Sequence, residues 1–227
     1  MEKSRGIVYI ALGWEHLRLA QQSIESIIDR TSESYNFLII TNLNIPPNTL
    51  IHENNIKTLT IQPIDDDLGI SSAFLKTQLH KLSPFDITLY LDTDIRAVDD
   101  IKCIWSRVTE GIGLCRAFHP INPSQFYTAD SEREFTRSKL DPYNFFQYNT
   151  GMFLFTKSLA VEKLFDGWYR EWTRFKHHEN MAFTRLLLDT NNDSVPVNIP
   201  DVYNDFYPNI SNESVLVHYI GWYKKYL

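Results

Sequence analysis

The stretch ITLYLDTDIRAVDD, residues 87–100, carries an apolar run into Asp92, Thr93 and Asp94, so that two carboxylates stand one residue apart where a buried strand should end. At an effective dielectric of about 20 and a spacing of roughly 5 Å, two such charges repel by about 3 kcal/mol. A positive partner belongs between them. Carboxylate oxygens with no soft ligand nearby suit a hard cation such as magnesium or manganese, held with positions open for substrate phosphates. Capping of the next helix is the plainer use for the pair, but Asp99 and Asp100 stand nearer to that helix's start.

The spelling alone is weak, because 16 aspartates in 227 residues give about one D-x-D triplet by chance, and Asp65, Asp66 and Asp67 spell it too. Context separates the two. Asp65 to Asp67 lie in a turn-like stretch ending at Gly69, which reads as a solvated acidic loop. Asp92 and Asp94 follow an apolar strand, where a charge needs a partner.

Around this strand, apolar β-branched runs alternate with segments of helical period, the pattern of strands and helices packed in layers. Residues 6–12, 35–41, 56–61, 86–91, 111–118, 148–155 and 215–220 read as strands. Helical spacing covers Leu17 to Ile28, a segment capped by Ser71 or Ser72 and closed by Pro84, a stretch over 158–175, and a shorter one over 179–189. Residues 119–147 read as a long polar excursion bearing aromatic side chains, a kind of loop that is often functional. A central strand apolar on both faces predicts a mostly parallel sheet flanked by helices on both sides, an α/β fold whose ligands lie beyond the carboxyl ends of the strands. Asp92 and Asp94 sit at such an end. With no repeat, linker or low-complexity tract, residues 1–227 read as a single domain.

A hydrophobic content of 43% is enough for a full core, and a net charge of −6 argues against a general nucleic-acid binder, which normally shows a basic face or stripe. Cys103 and Cys115 fit neither a zinc site nor a disulfide framework and read as reduced. The first strand begins almost at once, without a signal-type leader, and no window holds 18 consecutive apolar residues. These features predict a cytoplasmic protein with no transmembrane segment. The aromatic, basic tail GWYKKYL is compatible with peripheral contact at a membrane surface, though a substrate lid is the preferred reading.

A second motif lies at the end of the chain. VHYIGWYKKY places His218, Gly221 and Lys224 in the order H-x-x-G-x-x-K, a spacing that arises by chance in about one such sequence in a hundred. His218 can offer an imidazole to a metal, which tilts the choice toward manganese; Gly221 lets backbone approach a phosphate, and Lys224 is a point charge for it.

LYLDTD after a strand, then N-T-G at Asn149 to Gly151, then this closing motif together resemble the GT-A glycosyltransferases of family eight, the group of glycogenin and the bacterial lipopolysaccharide galactosyltransferases. The resemblance runs in order over nearly the whole chain. It implies a GT-A (nucleotide-diphospho-sugar transferase) fold and a Mn2+ or Mg2+ ion held by Asp92, Asp94 and His218. It also implies a UDP-sugar donor whose diphosphate meets Gly221 and Lys224, with Lys76 near the donor sugar and diphosphate. Asn149 would face the donor sugar, next to Gly151. The base would sit near Ala11, Leu12 and Gly13, with Thr41 and Asn42, while Thr93 lies within the metal motif. Glu179 and Asn180 stand where the family has an Asp-Gln pair, which makes Glu179 the candidate for stabilising the sugar. A lysine-proline-tryptophan ending is replaced by Lys224, Lys225 and Tyr226. The implied reaction is transfer of a hexose to a hydroxyl of a glycan or glycoconjugate, with retention. Phe126, Tyr127, Tyr143, Phe145 and Phe146 of the excursion could stack on acceptor sugars.

Two rivals share parts of this pattern. A phosphatase of the haloacid dehalogenase class uses D-x-D after a strand, but near its chain start and with a later acidic motif that is missing here. A non-catalytic sugar-nucleotide or glycan-binding module would keep the fold without turnover.

Overall fold

The computed structural model describes residues 3–46, 49–50, 55–116, 130–139, 148–188 and 196–220. Strands β1 (Arg5–Ile10), β2 (Asn36–Thr41), β3 (Ile56–Thr60) and β4 (Ile87–Leu91) form the parallel half of a seven-stranded sheet. Only the first residue of β1 and of β2 is exposed. Strands apolar on both faces need cover on both sides, as the sequence predicts.

A short strand β5 (Ile95–Ala97) follows β4 after a turn at Asp92 to Asp94, and then comes β6 (Ile112–Arg116). β7 (Tyr148–Thr156) runs between β4 and β6, antiparallel to both, and β8 (Val197–Ile199) pairs parallel to β6. The order is β3-β2-β1-β4-β7-β6-β8, so β7 alone runs against its neighbours. The sheet is mostly parallel.

Helix α1 (Gly13–Arg30) covers one face through Leu17, Ala20, Ile24 and Ile27, packed with Ile7, Phe37 and Leu89. On the other face lie α2 (Leu68–Thr77), α3 (Leu79–Leu82), α5 (Leu159–Thr173) and α6 (Glu179–Leu188), with Phe153, Phe155, Phe165, Trp168 and Phe183 in the core. Helix α4 (Asp130–Lys139) lies within the predicted excursion. Its buried residues are Glu132 and Thr136, held by Arg185 of α6, so it carries no hydrophobic period to be read. The excursion aromatics Phe126, Tyr127, Tyr143, Phe145 and Phe146 lie outside the described residues.

Two local expectations are corrected. α2 starts at Leu68 rather than after Ser71 or Ser72, because the Asp67 carboxylate accepts from Gly69 N at 2.8 Å. Ser71 Oγ instead accepts from the N–H groups of Ile64 and Asp65, tying the preceding loop to the helix. The predicted C-terminal strand is short and belongs to a second sheet: β10 (Leu216–His218) pairs antiparallel with β5 and parallel with β9 (Asp205–Phe206). Asp100 does cap the next element, a 3-10 turn over Ile101–Ser106. No helix among the described residues is long and apolar enough to cross a membrane.

His80 of α3 is buried against Phe165, with ring centroids 4.8 Å apart and both ring nitrogens unpartnered. Asp166 stands 4.0 Å away, beyond hydrogen-bond reach. Burial, then the Lys81 charge, pushes the imidazole down to about 4. The unfolded chain therefore takes up this proton near its ordinary value of about 6.5 while the folded chain does not, and stability falls as pH drops from about 6.5 toward 4. His80→Leu should remove about 2 kcal/mol of the stability lost between pH 7 and pH 5, measured by urea unfolding at the two values.

Candidate active site and metal centre

Three backbone pairings bring distant parts of the chain to the carboxyl end of β4. First, β4 pairs with β7 through Leu91 and Met152, and one residue further Asp92 N donates to Gly151 O at 2.7 Å. Second, β10 sets His218 opposite Ile95, and Tyr219 N donates to Asp94 O at 3.0 Å. Third, β9 sets Phe206 opposite His218, which brings Asn204 to the same place. Sheet register thus fixes the cluster before any side chain is considered.

His218 Nε2 lies 3.2 Å from Asp94 Oδ1 and 3.9 Å from Asp92 Oδ2. Asp94 and His218 are buried and Asp92 is partly so. Asp92 Oδ1 accepts from the Tyr90 hydroxyl at 2.6 Å and meets Lys76 Nζ at 2.9 Å, which leaves Oδ2 toward the imidazole. Tyr90 and Asp92 share a face because they are two residues apart in an extended segment. Burial, then the charge of Asp92, holds the Tyr90 phenol well above its ordinary value, so it stays a donor.

Lys76 also bonds Glu179 Oε1 at 2.7 Å, and only 6% of the residue is exposed. Burial alone would lower the Lys76 ammonium, but Asp92 and Glu179 together outweigh it and raise it. Burial likewise would raise the Glu179 carboxyl, yet the charge of Lys76, with help from His178, brings it down to about 2. The Glu179 backbone carbonyl accepts from Trp168 Nε1 at 2.8 Å. Asn180 Oδ1 accepts from Thr150 N at 2.8 Å and also contacts Thr150 Oγ1, which locks the start of α6 onto β7.

Asp92, Asp94, Lys76 and Glu179 face a cleft of about 220 Å³ over β1 and β4, lined also by Leu12, His16, Ser72 and Thr93. Thr93 is nearly buried and its Oγ1 lies 3.0 Å from His16 Nδ1. Of the residues expected near a base, Leu12 lines the cleft. Gly13, at φ +81°, donates from its backbone to Asn42 Oδ1 at 2.8 Å, a conformation that favours glycine. Ala11 and Thr41 are fully buried; Ala11 N donates to Ile40 O, and Thr41 Oγ1 accepts from Leu43 N. Gly221 and Lys224 lie outside the described residues.

Asn149 Oδ1 accepts from Gly151 N at 2.8 Å and from Asn204 Nδ2 at 3.0 Å. Sequence reasoning passes over Tyr90, His16 and Asn204. Tyr90 was open to discovery by strand alternation, whereas Asn204 stands in an irregular segment with no local signal.

One ligand atom from each of Asp92, Asp94 and His218 lies within 4.8 Å of the others, so this group could hold a metal ion. Donors around one divalent ion, each roughly 2.0–2.2 Å from it, cannot lie further apart than about 4.4 Å, so small side-chain shifts suffice. Gly151 supplies the room. A Cβ there would stand 2.8 Å from Asn149 Oδ1 and 2.9 Å from Asp92 Oδ2, and closer still to the His218 ring.

No protein-family model matches the chain, and no curated protein matches it significantly by sequence. Its structure is similar to that of the bifunctional glycosyltransferase WbbM in its apo form, with a TM-score of 0.65 and 12% identity over 97% of this chain. The chain spans about half of WbbM, 46% of its length. It is also similar to apo mouse xyloside xylosyltransferase 1, with a TM-score of 0.61 and 12% identity, covering 94% of this chain and 97% of the other. At this identity the likeness is one of fold, and the chain has the GT-A fold of these glycosyltransferases.

Gly151→Ala should lower stability by about 1–3 kcal/mol through overpacking and should weaken Mn2+ binding, as measured by thermal melting and by calorimetric titration of Mn2+.

Proposed function

We propose that the protein is a metal-dependent hexosyltransferase, one GT-A domain over residues 1–227. It moves a hexose from a nucleoside-diphosphate sugar, with UDP as the nucleotide, to a hydroxyl of a glycan or glycoconjugate. The observation that carries this reading is the convergence of Asp92, Asp94 and His218, with the two carboxylates lining one cleft beside Lys76 and Glu179. Asp92, Asp94 and Glu179 stand together here, with Lys76 bonded to two of them and the Arg96 guanidinium acting on Asp94, and a donor diphosphate adds further negative charge. Manganese or magnesium held by Asp92, Asp94 and His218 would supply positive charge against the departing diphosphate.

Lys76 has two tasks in this scheme. It holds Asp92 with one oxygen turned toward His218, and it keeps Glu179 ionised. A carboxyl brought down to about 2 is a poor base, so Glu179 serves as a hydrogen-bond acceptor for sugar hydroxyls and as negative charge near a carbon that becomes cationic. As the bond from the anomeric carbon to the diphosphate oxygen breaks, the acceptor oxygen bonds to that carbon on the same face. Its proton passes to the departing diphosphate. This proton path fits retention. Asn149 has no partner for its side-chain NH2 among the described residues, which makes that group available to a sugar hydroxyl. Gly221 and Lys224 are carried in the proposal as contacts of the diphosphate. Both cysteines are free, in keeping with a reducing, cytoplasmic setting.

The test is release of UDP from a panel of UDP-sugars with Mn2+. Turnover is expected for at least one sugar, and Asp94→Asn should lower it by about 100-fold or more. Phosphate release from sugar phosphates would favour the phosphatase, and binding without turnover the non-catalytic module.

A further inference from the structure

Asn149, Asn204 and His218 form a hydrogen-bonded chain whose polarity is fixed at one end. The Gly151 backbone N–H can only donate, so the Asn149 atom 2.8 Å from it must be the side-chain oxygen. That same oxygen faces Asn204 at 3.0 Å, so the Asn204 atom there must be the NH2 group. The Asn204 carbonyl oxygen is therefore the atom that meets His218 Nδ1, at 3.1 Å. A carbonyl oxygen can only accept, and Nδ1 must carry the proton. Nε2, on the other side of the ring, faces Asp94 Oδ1 at 3.2 Å and Asp92 Oδ2 at 3.9 Å, oxygens that can only accept when ionised, so a proton or a cation must stand between them. With Nδ1 carrying the proton of the neutral ring, the Nε2 lone pair is the one a cation there would take.

We propose that Asn204 is a positioning residue for the metal centre: through the polarity set by Gly151 and relayed by Asn149, it holds His218 with Nδ1 protonated and Nε2 free to ligate. The inference rests on the reading of Asp92, Asp94 and His218 as metal ligands. Asn204 is 1% exposed and 14 residues from the histidine it orients. It touches neither donor nor reacting atoms in this scheme; it acts through the imidazole. The relay also gives Asn149 a structural task through its oxygen, while its NH2 stays available to a ligand.

The test is Mn2+ binding to the metal-free protein, followed by the electron paramagnetic resonance signal of free Mn2+, in wild type, Asn204→Leu and Asn204→Asp. Both variants lose the bond to Asn149, so a purely structural role predicts that they weaken binding alike. The relay predicts that Asn204→Leu, which offers Nδ1 no acceptor, binds about 10–100-fold more weakly, while Asn204→Asp stays within about 3-fold of wild type. Equal weakening in both variants, or wild-type binding by Asn204→Leu, overturns the proposal. Should Asn204→Leu fail to fold, nitrogen NMR of wild-type His218 with Mg2+ decides: a proton on Nδ1 supports the relay and a proton on Nε2 overturns it. Absence of Mn2+ binding by wild type would instead remove the metal reading on which the relay stands.

Discussion

The structure turns on the repulsion between two carboxylates at the open end of a buried strand. β4 delivers Asp92 and Asp94 to the mouth of the sheet, and the molecule answers each differently. Asp92 is met by an ammonium and a phenol through one oxygen; Asp94 is met by an imidazole. The oxygens and nitrogen that remain converge on a point that a divalent cation can fill. Arg96 also acts on Asp94, so what favours a cation here is geometry: one ligand atom from each of the three side chains lies within 4.8 Å of the others.

The GT-A fold serves this point by register. The 3-stranded sheet of β5, β10 and β9 looks minor beside the seven-stranded one, yet it carries His218 to Asp92 and Asp94 and Asn204 to His218. The antiparallel strand β7 contributes in the same way, because its pairing with β4 sets Gly151 against Asp92. Only a residue without Cβ fits against Asp92, Asn149 and the imidazole. Behind the site, Asn180 and Trp168 fix the start of α6, so Glu179 reaches Lys76 from a rigid platform. Lys76, Asp92 and Glu179 then act as one charged unit that spans three elements.

Much of this was legible in the sequence, and the reason is periodicity. Apolar runs with turn signals located every described strand but β5, β8 and β9, and the position of Asp92 and Asp94 past such a run marked a ligand-binding end. The spacing of His218 from Gly221 and Lys224 singled out the histidine, although the latter two fall outside the described residues. What stayed hidden was tertiary. Lys76 could equally have been a solvated helix lysine, and only its bonds to residues 16 and 103 positions away exclude that. Strands β5, β8 and β9 are two or three residues long, too short for any alternation to register. Asp67 read as solvent-facing acid and is exposed, but it also caps α2, because capping needs one carboxylate oxygen and leaves the rest in water.

The central claim is that one divalent cation sits among Asp92, Asp94 and His218. Anomalous diffraction at the manganese edge, from crystals soaked with MnCl2 and UDP, tests it most directly. The account predicts a single strong peak within bonding distance of all three side chains, roughly 2.0–2.3 Å from their ligand atoms, with the diphosphate on its open side. A peak elsewhere, or diphosphate density in the cleft with no metal beside it, would contradict it.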